Sequence, residues 1–211
     1  MSPSLLALAL LLGGTPPKAP PPFTAAAVRT AEEPGEIERE AEAVAALAGE
    51  LSSQGKEFSE IFQAICARSA GAPGPALAFK AQFGGLMLWT ERGGRPKLLG
   101  REDWGLHFIY GGWISAFFGL EEALSTGYEK ERRDSASAGN AFDLGDLAVT
   151  YFGAHWAERA LADPAGFPAP WADGARSLET LPPLTLGKLP AGALPTPAES
   201  ASVEAWVRSS L

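Results

Sequence analysis

A series of five residues, each four positions after the last, is the feature that most constrains the fold of this chain. It begins with an acid and an imidazole and continues with small side chains: Asp103, His107, Gly111, Ser115 and Gly119. Residues spaced by four lie on one face of an α-helix, so this helix presents a face that another backbone can approach closely. A second series repeats the order of an acid followed by small residues: Asp146, Thr150, Gly153, Ala154 and Ala157. The spacing therefore predicts two helices that pack against each other.

The hydrophobic pattern before these series predicts further amphipathic helices. Apolar residues recur at three-, four- and seven-residue steps in residues 37–51, and a similar pattern follows in residues 58–65. Residues 77–89 are nearly uncharged; a helix is the preferred interpretation, and a β-hairpin bent at the Gly-Gly pair is the alternative. We therefore predict an all-α fold, an irregular bundle of four to six helices in residues 33–163.

The two ends of the chain differ in composition from this central part. Residues 1–27 combine a short Leu/Ala-rich stretch, a proline-rich turn and a run of three alanines, which is typical of a secretory signal peptide. We therefore expect a secreted or periplasmic protein of the cell envelope; a disordered N-terminus on a cytosolic protein is the alternative. Residues 164–211 are rich in proline and are predicted to form a largely extended C-terminal tail that ends in a short helix.

Charge and cysteine content exclude several classes of function. Asp and Glu number 25 against 17 Lys and Arg, and the resulting net charge of −8 opposes binding to nucleic acid, so we predict no nucleic-acid partner. The single cysteine, Cys66, excludes an internal disulfide and lies in an apolar helical pattern typical of a buried, unreactive thiol. The stretch 104–120, which has no Asp, Glu, Lys or Arg, is shorter than the roughly 20 residues of a membrane span, so a buried helix is favoured over membrane association. The sequence specifies no protein partner.

One polar constellation could carry chemistry. Asp103 and His107 are four residues apart on the first helix, so the carboxylate could orient the imidazole. If the helix that begins near Asp146 packs on the same face, its carboxylate joins them, and the intervening helix supplies further oxygens. The predicted catalytic set is Asp103, His107, Glu131 and Asp146. The predicted ligands of a divalent metal are His107, Glu131, Asp134 and Asp146. The alternative is that these residues form helix caps, ion pairs and a buried polar network that fixes how the helices dock.

Three short motifs within residues 103–157 resemble those of VanZ-like and YfiM-type bacterial envelope proteins. They are D-x-x-x-H-F at 103–108, K-E-x-x-D at 130–134 and D-L-x-x-x-x-x-G at 146–153. The resemblance implies a small, mainly helical, membrane-associated protein. It also implies four polar positions that face one another between helices: Asp103, His107, Glu131 and Asp146. Two positions depart from the pattern, since Thr150 stands where Asn is usual and Trp104 where Lys is common.

Three hypotheses about function follow. The first is a non-enzymatic envelope protein in which the Asp/His/Glu network is structural. The second is a hydrolase or metal-dependent enzyme acting on a lipid-linked or phosphorylated envelope substrate. The third is a peptide- or protein-binding module that uses the C-terminal tail. Exposure separates the first two, because an enzyme needs these groups at the mouth of a pocket whereas a structural network can be sealed.

Overall fold

The computed structural model of the protein describes residues 34–69, 75–137, 140–162 and 176–211. Within these ranges it contains seven α-helices and a 3-10 turn at Arg176–Glu179. The α-helices are α1 Pro34–Ser53, α2 Phe58–Ser69, α3 Pro75–Glu91, α4 Glu102–Phe118, α5 Leu120–Ser135, α6 Leu144–Ala162 and α7 Pro197–Ser210. The described residues are therefore helical, without a β-strand, as the all-α prediction requires.

The total of seven helices is one more than the predicted bundle of four to six, because the short helix predicted at the C-terminus packs against the six helices of residues 34–162. Its last helix, α7, buries Val203, Trp206 and Val207. The Trp206 ring lies 5.8 Å from the Phe152 ring of α6, centroid to centroid. This apolar contact packs α7 against α6, and a capping box between Thr196 and Glu199 stabilises the start of α7.

The contact between α4 and α6 brings two backbones together. A Cβ atom added at Gly111 would lie 2.0 Å from the carbonyl oxygen of Thr150, and one added at Gly153 would lie 2.1 Å from that of Phe108. Each helix thus supplies a glycine where the other helix supplies a carbonyl, and no larger residue fits the present spacing. The predicted packing of the two small-residue series is confirmed.

Aromatic side chains fill the core around Phe108 of α4. Its ring centroid lies 5.3 Å from that of Phe62 in α2 and 5.4 Å from that of Phe152 in α6. Phe83 of α3 and Trp156 of α6 complete the cluster, with centroids 6.0 Å apart. All five rings are almost completely buried, and rings of this size contribute much of the apolar area that stabilises a small domain.

Helix α3 confirms the preferred interpretation of residues 77–89 and shows that the hairpin alternative is wrong. The Gly-Gly pair serves packing rather than a turn, since a Cβ at Gly85 would lie 2.5 Å from the Val44 side chain of α1. The helix ends before Gly93, whose φ of 92° is a conformation that favours glycine.

Helices α4 and α5 are separated only by Gly119, which has a φ of 95°. This positive φ turns the chain so that the charged helix α5 folds back beside the apolar helix α4. In the part of the chain that the structure describes, no helix combines the length and the apolar character needed to cross a membrane.

The segment after the 3-10 turn lies against the loop between α5 and α6. The amide of Leu144 donates to the carbonyl oxygen of Gly187 at 3.2 Å, and the amide of Leu189 donates to that of Phe142 at 2.9 Å. These two hydrogen bonds fix residues 187–189 beside the start of α6. The predicted signal segment 1–27 and the first part of the predicted C-terminal tail, residues 164–175, lie outside the described residues.

Candidate functional site

Three of the predicted site residues lie together, each on a different helix. His107 of α4 places its Nε2 atom 3.2 Å from Oδ2 of Asp146 on α6. Glu131 of α5 completes the group, and one ligand atom from each of the three side chains lies within 4.8 Å of the other two. Only 8% of His107 and 2% of Glu131 is exposed, so the group is enclosed by the helices that carry it.

Thr150 contacts the second ring nitrogen of His107. Its Oγ1 lies 2.8 Å from Nδ1 of the imidazole and 2.9 Å from the carbonyl oxygen of Asp146, one turn earlier in α6. The single hydroxyl proton of Thr150 serves one of these two partners at a time. Donation to Nδ1 goes with a proton on Nε2, which then donates to the Asp146 carboxylate in the metal-free protein. Donation to the carbonyl makes Nδ1–H the donor to Oγ1 and leaves a lone pair on Nε2, the form that a metal ion would bind.

The carboxylate of Asp146 is held on its other side by α4. Its Oδ1 accepts a hydrogen bond from Nε1 of Trp104 at 3.1 Å, and the guanidinium of Arg101 lies 3.4 Å away. Arg101 also stacks on Trp104, 4.2 Å from the ring centroid. Burial acts to raise the pKa of Asp146, but the hydrogen bond from His107 and the positive charge of Lys130 contribute to a pKa below the ordinary value of 3.8.

Glu131 is the most deeply buried acid of the group. Its Oε1 accepts a hydrogen bond from Nζ of Lys130 at 2.6 Å, and its Oε2 accepts one from the amide of Asp143 at 3.3 Å. Burial raises the pKa of Glu131 above its ordinary value of 4.5, and the Lys130 ammonium only partly opposes this effect. Glu131 therefore joins the end of α5 to the start of α6.

The structure corrects the expectation for Asp103. Its carboxylate pairs with the Arg101 guanidinium and accepts the amide of Trp104 at 3.1 Å, rather than orienting His107. Its side chain is 48% exposed in the first turn of α4, and the hydrogen bond from Arg101 lowers its pKa. Asp146 takes the role predicted for Asp103, because it reaches the imidazole from the facing helix.

Asp134 also lies outside the group that could hold a metal among the described residues. Its carboxylate accepts a hydrogen bond from Lys130 at 2.9 Å, four residues earlier on α5, and is 47% exposed. The ion pair that the sequence offered as an alternative is therefore present. It leaves Asp134 at the rim of the site.

Several neighbours of the group were not predicted as site residues. Asp143 caps α6, since its Oδ1 accepts the amides of Gly145 at 2.9 Å and Asp146 at 3.2 Å. Arg101 lies two residues before Asp103, and its closeness in sequence could have suggested the pairing. Lys188, 4.0 Å from Oδ2 of Asp143, comes from the distant C-terminal segment, and no local pattern indicates it.

A narrow polar cleft of about 130 Å³ leads to this group. It is lined by Glu131, Asp134, Asn140, Ala141, Asp143, Asp146 and Lys188. A water molecule takes roughly 30 Å³ of liquid, so the cleft has room for a few waters or a hydrated ion. It is smaller than the roughly 300 Å³ at which small-molecule pockets begin. A larger surface groove of about 400 Å³ lies along α1 and α2, between Leu51 and Ala67. None of the three residues of the buried group, His107, Glu131 and Asp146, lines it.

Fold and site together define an all-α protein with a buried His/carboxylate group between three helices. Scans against protein-family models, curated proteins and solved structures each gave no match. The resemblance to VanZ-like and YfiM-type proteins therefore stays a prediction.

Proposed function

We propose that this protein is a non-enzymatic helical protein of the cell envelope, in which His107, Glu131 and Asp146 fix the docking of α4, α5 and α6. The observation that carries this proposal is that each of the three side chains has a partner on both of its polar atoms. The imidazole contacts Thr150 and Asp146, the Asp146 carboxylate contacts the imidazole and Trp104, and Glu131 bonds on both oxygens. A fully partnered buried network of this kind favours one arrangement of helices over others.

The size of the cleft favours this reading over a hydrolase. A lipid-linked or phosphorylated substrate needs a pocket several times larger than 130 Å³. The cleft also approaches Glu131 and Asp146 but does not include His107 in its lining, so a base at His107 would have no direct access to a substrate. The envelope location is supported by the signal-like composition of residues 1–27.

Thermal unfolding of a His107→Ala variant tests the structural role. Loss of the imidazole leaves Oδ2 of Asp146 without its partner, which typically costs about 3 kcal/mol when a buried pair is broken. For a chain of this size we expect Tm to fall by about 6–12 °C. His155→Ala is the matched control, because His155 is partly exposed and 3.7 Å from Glu158. Equal melting temperatures for His107→Ala and the parent would contradict the proposal.

A double-mutant cycle with Asp146→Ala isolates the pair itself. We expect a coupling free energy of about 0.5–3 kcal/mol between the two substitutions. Purely additive losses would show that the imidazole and the carboxylate stabilise the protein separately.

Expression of the full chain in a bacterial host tests the proposed location. We expect the protein in the periplasm or the medium, shortened at its N-terminus near residue 27, as intact-mass measurement would show. Recovery of the full-length chain in the cytosol would contradict an envelope protein.

A further inference from the structure

We propose that His107, Glu131 and Asp146 form a binding site for one divalent transition-metal ion such as Zn²⁺ or Mn²⁺. One imidazole nitrogen and two carboxylates on three helices converge there, with the donor atoms within 4.8 Å of one another. Nitrogen and oxygen donors bind Zn²⁺ at about 2.0–2.2 Å, so two donors of a tetrahedral ion are about 3.3–3.6 Å apart. The distance of 3.2 Å from Nε2 to Oδ2 of Asp146 is close to this spacing, and the wider spacing within the group, up to 4.8 Å, must shorten when an ion binds.

The surrounding contacts hold two of the donors in the required orientation. Thr150 accepts the Nδ1 proton of His107 when its own hydroxyl donates to the backbone, which leaves the Nε2 lone pair for a metal. Trp104 holds Oδ1 of Asp146, so that Oδ2 stays beside Nε2. Metal-bound histidines usually donate their second ring N–H in this way, and such outer contacts raise affinity.

The charges around the group fit a divalent ion. Glu131 and Asp146 together carry two negative charges when ionised, and the Lys130 ammonium lies 2.6 Å from Oε1 of Glu131. Lys130 also donates a hydrogen bond to Asp134 at 2.9 Å. The ammonium therefore keeps one carboxylate partner when a metal ion replaces it at Glu131. The cleft reaches Glu131 and Asp146 from the solvent, and water within it can complete the coordination.

Lys130→Met provides a test in the direction of tighter binding. Removal of a positive charge about 4 Å from the ion should raise affinity by roughly tenfold or more, even in a well-screened site. His107→Gln should weaken binding by at least tenfold, because it removes the nitrogen ligand. Thr150→Val keeps all three ligands and should weaken binding by about 10–100-fold through the lost support of the imidazole.

The experiment is isothermal titration calorimetry of the metal-stripped full chain with zinc and manganese chloride. Circular dichroism verifies that each variant is folded, and His155→Gln serves as the control with an unchanged inner site. The proposal predicts one ion per chain in the parent, weaker binding in His107→Gln and Thr150→Val, and tighter binding in Lys130→Met.

Absence of saturable binding in both the parent and Lys130→Met would overturn the proposal. Binding that persists in His107→Gln and is lost in His155→Gln would also overturn it, because the ion would then lie elsewhere. These outcomes are distinct from failure of the structural proposal, which depends on the stability of the metal-free protein.

Discussion

Replacing Gly111 with alanine tests whether the contact between α4 and α6 determines the geometry of the site. The added Cβ would lie 2.0 Å from the carbonyl oxygen of Thr150. Carbon–oxygen contacts between packed helices are normally about 3.3–3.6 Å, so the two backbones must separate by more than 1 Å, or one must rotate. The same displacement would pull the Thr150 hydroxyl from Nδ1 of His107, now 2.8 Å away.

The magnitude follows from two opposing effects. Forcing a methyl group into a close-packed contact costs up to about 3 kcal/mol. Alanine has the higher helix propensity, which offsets about 1 kcal/mol. We therefore expect Gly111→Ala to lower the free energy of unfolding by about 2 kcal/mol, which lowers Tm by about 4–8 °C in a chain of this length.

Differential scanning calorimetry and urea unfolding would measure the loss, with Gly49→Ala as the matched control. Gly49 is also inside a helix, but a Cβ there would have nothing within 4 Å. Alanine at that position should raise stability by up to about 1 kcal/mol. If Gly111→Ala is as stable as Gly49→Ala, the backbones of α4 and α6 are not in contact at this point, and the geometry described for the site is wrong.

Three further predictions concern the neighbouring glycines, the thiol and the two buried carboxylates. Gly85→Ala should lower Tm by several degrees, whereas Gly84→Ala, whose Cβ would have only ordinary contacts at 3.6 Å, should not; equal melting curves would contradict this. Burial raises the pKa of the Cys66 thiol, so alkylation by iodoacetamide should be very slow until the protein unfolds, and rapid labelling of the native protein would contradict the structure. Burial raises the pKa of Glu131, so its contribution to stability is present below pH 4.5 and is lost as pH rises through the raised pKa. Asp146 has a lowered pKa, because the hydrogen bond from His107 and nearby positive charges outweigh burial, and its contribution is lost as pH falls below 3.8. Stability profiles against pH for Glu131→Gln and Asp146→Asn should therefore differ from the parent in opposite directions, and parallel profiles would refute the assigned shifts.

The central helix pair could be predicted from sequence because its signal is local and regular. Gly111 belongs to a series with four-residue spacing and Gly153 to one with steps of three and four residues. Small residues at these steps share one helix face and let another backbone approach it closely. The helix at residues 77–89 could be predicted from the signals at its ends, because Pro75 suits a first helical position and Gly93 suits a C-terminal cap.

The partner of Asp103 could not be predicted in the same way. Spacing shows which residues share a face, but it does not show which of two candidate partners is closer. Arg101, which stacks on Trp104, pairs with the Asp103 carboxylate. The imidazole of His107 instead contacts Asp146 on the facing helix. Asp143 could not be predicted as a neighbour of the site, because its contact with Lys188 depends on where the distant C-terminal segment passes.

Thr150 joins the packing of the helices to the chemistry of the site. Its carbonyl oxygen faces Gly111, and its hydroxyl contacts Nδ1 of His107, so a change that separates α4 from α6 must also disturb the imidazole. Substitutions on this face therefore alter stability and cation affinity together. Lys130 lies on the other side of Glu131 and is one of its two hydrogen-bond partners, so Lys130→Met also removes a contact of the docking network. Cation affinity that rises in Lys130→Met, while the melting temperature of the metal-free protein does not rise, would thus separate the cation site from the helix docking that supports it.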